Sequence, residues 1–258
     1  MKKSLFALTA VLLAGSSAFA MDVTNPFYVP MKGDFLSETS AVYQNVEHGS
    51  AEFSEFAETL SYGISKKLAI SGTISDIWAF DLQGDGLTGH KKWDNPAWGL
   101  GLKYNLVDCC KTKWKVQLGA DYEQGGVDHH EKTLSGFVKA GYQLDKVLPY
   151  ASLTVEKPIG RYEADPVLAG RLAAYAPLAD KVNLDVGITY EWDSVTNGIG
   201  HDSEWTADAT LNYVFSDCIS VGLTGSYILQ ARDNIAAEFG EKLNRDGYAL
   251  GVNFKAAF

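Results

Sequence analysis

Twelve segments of alternating hydrophobicity, joined by connections that are alternately short and long, predict an all-β protein: a single closed antiparallel transmembrane β-barrel. The last segment shows the pattern most clearly. Tyr248, Leu250, Val252, Phe254, Ala256 and Phe258 fall on one face, and Gly247, Ala249, Gly251, Asn253, Lys255 and Ala257 on the other. The second face is small and polar and the first is apolar with aromatics near its ends. That suits lipid outside and water inside.

The chain opens as an export signal over residues 1–20. Lys2 and Lys3 give the positive start, Leu5 to Ala14 the apolar stretch, and Ala18-Phe19-Ala20 the small-x-small cleavage site. That stretch is too short to span a bilayer, and no later segment reaches the roughly 18–20 continuous apolar residues of a helical span. Mean hydropathy is −0.09, as expected where apolar and polar residues alternate and cancel. Loss of Lys2 and Lys3 leaves 20 basic against 32 acidic residues, a net charge of −12. So acidic a chain, without a basic cluster, excludes nucleic acid as a partner. Residues 21–34 hold Thr24-Asn25-Pro26-Phe27-Tyr28-Val29-Pro30, a structured entry segment that is either a periplasmic lead-in or a plug across the lumen.

The barrel proper is expected over 35–258, with strands near 35–45, 54–64, 68–78, 97–106, 114–122, 134–144, 148–156, 167–177, 182–190, 204–215, 219–229 and 247–258. Most reach the roughly 9–11 residues of a tilted crossing. Two are irregular: 35–45 carries Glu38 among apolar residues, and turning Arg171 inward in 167–177 also turns Tyr175 inward, which suggests a bulge between them. Short connections at 65–67, 107–113, 145–147, 179–181 and 216–218 alternate with long ones near 46–53, 79–96, 123–133, 157–166, 191–203 and 230–246. Short periplasmic turns and long external loops are the bacterial pattern, whereas a soluble sandwich has no reason to alternate them. Tyr62, Tyr104, Tyr142 and Tyr213 precede short turns, while Trp78, Trp98, Tyr122, Tyr190, Trp205, Tyr227 and Tyr248 flank long loops, as two aromatic girdles would.

The export signal, the alternating strands and the terminal aromatic set ending in Phe258 resemble Gram-negative outer-membrane β-barrel proteins of porin-like kind. The resemblance implies an outer-membrane location and recognition of Phe258 by the barrel assembly machinery. It also implies contact with outer-membrane lipid and lipopolysaccharide, and a monomer. Twelve-stranded members include sugar and nucleoside channels, a phospholipase and autotransporter translocators, so the architecture does not select a function.

The inward parity carries the candidate pore-lining residues Lys103, Lys115, Asp121, Lys139, Arg171, Asp185 and Asp208, with Glu55 on the second strand. Counted around the wall, bases fall on one arc and acids on the other, so Lys103, Lys115, Lys139 and Arg171 are expected to face Asp185 and Asp208 across the lumen. Such a transverse field orients polar solutes. The leading reading is passive diffusion of small hydrophilic solutes through a channel, without catalysis, cofactor or metal. One alternative is a surface hydrolase using Asp128-His129-His130-Glu131 in a loop above Asp121, although adjacent side chains on an extended chain point apart. Another is a closed structural or adhesion barrel. Asp81-Leu82-Gln83-Gly84-Asp85-Gly86 lacks the spacing of a calcium loop. Cys109 and Cys110 lie in a turn six strands from the turn holding Cys218, on opposite sides of a ring about 24 Å across. A disulfide needs Cα atoms within about 7 Å, so Cys218 is expected to pair with neither.

Overall fold

The computed structural model describes residues 22–46, 51–81, 96–107, 112–125, 132–159, 166–195, 200–232 and 247–258. Twelve strands follow one another: β1 (Phe35–Val46), β2 (Ala51–Gly63), β3 (Leu68–Asp81), β4 (Ala97–Val107), β5 (Trp114–Gln124), β6 (Lys132–Tyr142), β7 (Leu148–Pro158), β8 (Val167–Ala179), β9 (Val182–Val195), β10 (Gly200–Ser216), β11 (Ile219–Arg232) and β12 (Gly247–Ala257). Each pairs antiparallel with its sequence neighbours, and β1 pairs with β12 to close the barrel. Phe35 and Phe258 exchange both backbone bonds, at 2.7 and 2.9 Å, and stack their rings at the seam.

Several strands outrun the alternating segments that predict them. Most of the loop expected over 191–203 is strand, and His201 lies in β10. Hydropathy alternation marks the membrane boundary, but backbone pairing continues beyond it, because ladder bonds serve equally well in water. The bulge expected between Arg171 and Tyr175 is absent: the β7–β8 register runs unbroken from Leu148↔Tyr175 to Glu156↔Val167. The register shift in β8 falls at Pro177/Ala179 instead, where proline has no N–H to offer.

The two faces separate cleanly. Leu100, Leu172, Leu223 and Leu250 are each 58–66% exposed, and they belong to a belt of large apolar side chains around the outer wall. Only lipid accommodates such a belt, so the barrel is that of an outer-membrane protein. The aromatic girdles are present as contacting pairs. Trp98–Tyr122 and Tyr190–Trp205 lie towards the long loops, and Trp114–Tyr142 and Phe35–Tyr62 beside the short turns. The side chain of Trp78 lies outside the described set. Cys218 carries a free thiol at the β10–β11 turn. Cys109 and Cys110 fall outside the described residues, as do residues 1–21.

The apparent irregularity of β1 resolves into two polar contacts on opposite faces. Glu38 points inward and pairs with Lys255 across the seam at 3.0 Å. Ser37 and Thr39 point outward and donate to the carboxylate of Glu58, Ser37 at 2.7 Å. Glu58 is opposite Ile74, which is 51% exposed, so this carboxylate sits on the lipid-facing wall. The two hydroxyls supply partners that lipid cannot. Removing both, in Ser37→Ala/Thr39→Ala, is therefore expected to destabilise the barrel by about 1–3 kcal/mol by leaving the carboxylate unsatisfied. Glu58→Leu, which removes the need for partners, should cost less or stabilise. Urea unfolding in lipid vesicles gives the ordering, and a Leu variant weaker than the double alanine variant would contradict it.

Candidate functional site: the lumen and the segment across it

Residues 22–34 enter the barrel rather than trail from it. At the short-turn end, Asp34 N–H donates to the Met31 carbonyl at 3.0 Å in a turn whose third residue, Gly33, has φ 91°. Glycine adopts that conformation without strain. Gly33 N–H then bonds the Gly63 carbonyl at 2.8 Å, and Gly63 N–H bonds the Asp34 carbonyl at 3.0 Å. A side chain at Gly63 would collide with the Met31 carbonyl, so β2 accepts the incoming chain only because position 63 is bare.

From that anchor the segment crosses to the opposite wall. Val23, Thr24, Phe27 and Val29 are all at most 7% exposed. Lys139 donates to the Pro26 carbonyl at 2.9 Å, while Asn105 and Gln117 donate to the Phe27 carbonyl at 3.2 and 3.4 Å. At the far end Asn183 donates to the Thr24 hydroxyl at 2.9 Å, and the Tyr175 hydroxyl bonds Thr24 at 2.8 Å and donates to Asp22. The Phe27 ring fills a pocket made by Leu148, Tyr150 and Tyr175. The anchoring residues come from β4 to β9, each near its short-turn end. The segment therefore lies across the periplasmic mouth. Tyr28 is partly buried beside Asp34 and the Cys218 turn; burial first, then those two neighbours, push its phenol up to about 12.

Above this level the expected transverse arrangement fails for Arg171. Instead of facing Asp185 and Asp208 across the lumen, Arg171 joins them. One terminal nitrogen bonds Asp185 at 2.9 Å and Asp208 at 2.5 Å, and Nε reaches Asp208 at 3.2 Å. The other terminal nitrogen bonds the Tyr150 hydroxyl, which itself donates to both Asp185 oxygens at 2.9 and 2.7 Å. The three charged residues stand on consecutive strands, and a long guanidinium reaches over β9 to β10 because Gly187 is bare there. A Cβ at Gly187 would lie 2.8 Å from the guanidinium. Opposite charges on neighbouring strands pair rather than hold apart across water.

The charge separation is axial instead. Lys115, which is buried, Lys139 and Lys255 lie near the short turns, and Lys103 lies at mid-height. Asp121 is on the outer half of β5, where bare Gly101 opposite leaves room for its carboxylate beside Ser71. Glu55, Glu156 and Asp121 are within electrostatic reach of Glu123. Glu191 and Glu204 are direct partners on β9 and β10. Among the described residues, the inner wall of the outer third bears these carboxylates and no lysine or arginine. The acids of this vestibule, and the anchors Asn105, Gln117, Tyr150, Tyr175 and Asn183, share the inward parity of the predicted residues. That parity was the available signal for them. Asp128 to Glu131 lie outside the described residues, and so does the His201 side chain.

Residues 150–258, fewer than half of the chain, match a family model described as the putative MetA-pathway of phenol degradation. No curated protein matches the chain. Among solved structures it is similar to an outer membrane channel from Pseudomonas putida F1, with a TM-score of 0.61, 9% identity, and coverage of 92% of this chain and 100% of that one. It is also similar to the NanC porin (TM-score 0.56, 10% identity, 84% and 98% covered) and the KdgM porin (TM-score 0.51, 10% identity, 84% and 98% covered). At such identities the shared property is the fold.

Arg171 holds two carboxylates and a phenol, so Arg171→Ala should cost on the order of 2–4 kcal/mol by stranding Asp185 and Asp208 side by side. Adding Asp185→Asn and Asp208→Asn should restore much of that loss. Chemical unfolding of the three proteins in detergent checks this; an unrescued triple variant would show that the charges are not the cause.

Proposed function

We propose that this protein is an outer-membrane channel for passive diffusion of small hydrophilic solutes, closed at rest by its own residues 22–34. The observation that carries the reading is the inner wall. It carries polar and charged side chains along its whole length, yet its short-turn end is filled by a segment that is not part of the wall. A barrel with a purely structural role would gain more from an apolar packed interior than from Lys103, Arg171 and six vestibule carboxylates. The similarity to a channel and two porins supports the same reading at the level of fold.

The segment is held by hydrogen bonds and by the packing of Val23, Phe27, Tyr28 and Val29, contacts that can open without disturbing the strands. The acidic vestibule concentrates cations at the external mouth, and the lysines nearer the periplasm form the barrier behind it. Pore-lining roles follow for Lys103, Asp121, Lys139 and the Arg171 cluster, with Lys115 part of the barrier at the mouth.

Planar-bilayer recording of the refolded protein tests this. The full chain should show low or intermittent conductance, and a variant lacking residues 22–30 should conduct steadily with a preference for cations. Glu123→Gln with Glu156→Gln should reduce that preference. No current from the shortened variant, at any voltage, would leave a closed barrel with a structural or adhesive role.

A pH dependence follows from Tyr28. Its phenol has a pKa of about 12 when docked, against 10.0 for the free side chain. Docking energy is therefore fully present below pH 10 and is lost as pH rises through about 12. Conductance of the full chain should rise over that interval, and Tyr28→Phe should flatten the rise. An equal rise in both proteins would assign it to other groups.

A further inference from the structure

We propose that the pocket occupied by Phe27 is a binding site for aromatic carboxylates, and that such a solute competes with the N-terminal segment for it. This rests on the reading of residues 22–34 as a displaceable plug, but not on the barrel's conducting anything.

Phe27 occupies a built site. Its ring meets Tyr150 edge-on with centroids 5.8 Å apart, and packs against Leu148, which is 1% exposed. One ring edge lies over Gly141, where a Cβ would stand 3.1 Å from Phe27 Cε2, so a bare position provides the floor. The Lys139 ammonium is 5.6 Å from the ring centroid. The oxygens flanking the ring are held by three donors: Lys139 on the Pro26 carbonyl, and Asn105 and Gln117 on the Phe27 carbonyl. Gln117 is 2% exposed, and its amide is oriented by a 2.9 Å bond to Asn105.

These donors do not match their present acceptors in charge. Lys139 is an ammonium satisfied by a neutral carbonyl, and among the described residues it makes no ion pair. The nearby Asp185 is already bonded by Arg171 and Tyr150. An anionic oxygen at the same place would form a charge-assisted bond, roughly twice as strong as one to a neutral acceptor. The covalent path in Phe27 from ring through Cβ and Cα to the carbonyl is that of 3-phenylpropanoate. That molecule would return the ring to its pocket, present a carboxylate oxygen to Asn105 and Gln117 in place of the Phe27 carbonyl, and bring its charge towards Lys139, whose present acceptor is the preceding Pro26 carbonyl. A ring beneath an ammonium also gains a cation–π contact. The site therefore suits an aryl group two carbons from a carboxylate, whereas a sugar lacks the flat apolar face that Leu148, Tyr150 and Gly141 line.

The test is calorimetric titration of the full-length refolded protein with 3-phenylpropanoate, and of Phe27→Ala, in which the pocket is vacated. Removing the internal competitor should tighten binding at least about tenfold. In the Phe27→Ala background, Lys139→Gln should weaken the carboxylate strongly and leave 3-phenylpropanol little changed. Gly141→Val, which fills the floor, should abolish binding of both. Heat-modifiable gel mobility confirms that each barrel is folded. Equal affinity for wild type and Phe27→Ala, or binding indifferent to Lys139→Gln and Gly141→Val, would overturn the proposal. Binding without conductance in the bilayer assay would retain this site and remove the channel reading; steady conductance without binding would do the reverse.

Discussion

A sheet immersed in hydrocarbon cannot leave a row of backbone N–H and C=O groups unpaired, and everything else in this molecule follows from meeting that condition. The β1–β12 ladder from Leu36↔Ala257 to Val46↔Gly247 removes both edges at once. Closure ties the start of the barrel to its last residue, because Phe35 and Phe258 exchange backbone bonds. A terminal aromatic is thus part of the seam itself. The N-terminal segment must leave the seam at the same end, beside Gly63, and from there the lumen lies directly in its path.

Closure also decides where polarity is tolerated. Outside, a carboxylate survives on the lipid face at Glu58 only with two hydroxyls on the adjacent strand to bond it. Inside, water and neighbouring strands share that task, and charge becomes abundant. Arg171 pairs with Asp185 on the adjacent strand and with Asp208 one strand further, and Lys255 pairs with Glu38 across the seam. The remaining lysines gather towards the short turns and the remaining carboxylates towards the long loops, so the lumen sorts its charge along the axis rather than across it.

Strand number, order, direction and facing were legible in the amino-acid sequence, because a period of two read against lipid leaves little freedom. The inward placement of Arg171 and Tyr175 followed from parity alone, and the bulge offered to reconcile them proved unnecessary. What parity cannot convey is reach. Nothing in the order of residues says that a guanidinium on β8 crosses β9 to a carboxylate on β10. That depends on the bare Cα of Gly187, which periodicity counts merely as a small inward residue. Axial sorting was hidden for a similar reason: assigning charges to strands discards their height within each strand. The path of residues 22–34 was open for a third reason. Its polar anchors are single side chains on five strands, and no local pattern announces a contact between Thr24 and Asn183.

The segment across the mouth is itself informative about what the lumen can bind. A plug must be held by the wall and yet be separable from it, so it is recognised as a ligand would be. Its one large apolar side chain, Phe27, enters the apolar pocket, and its backbone carbonyls satisfy the donors around it. The wall is better provided than the plug requires, since an ammonium is aimed where only neutral oxygens are supplied. Selection for plugging alone would be met by an asparagine or glutamine at position 139, without the desolvation cost of a charge close to the buried ring. That excess of charge over need is what the proposed exchange of the segment for an anionic solute would use.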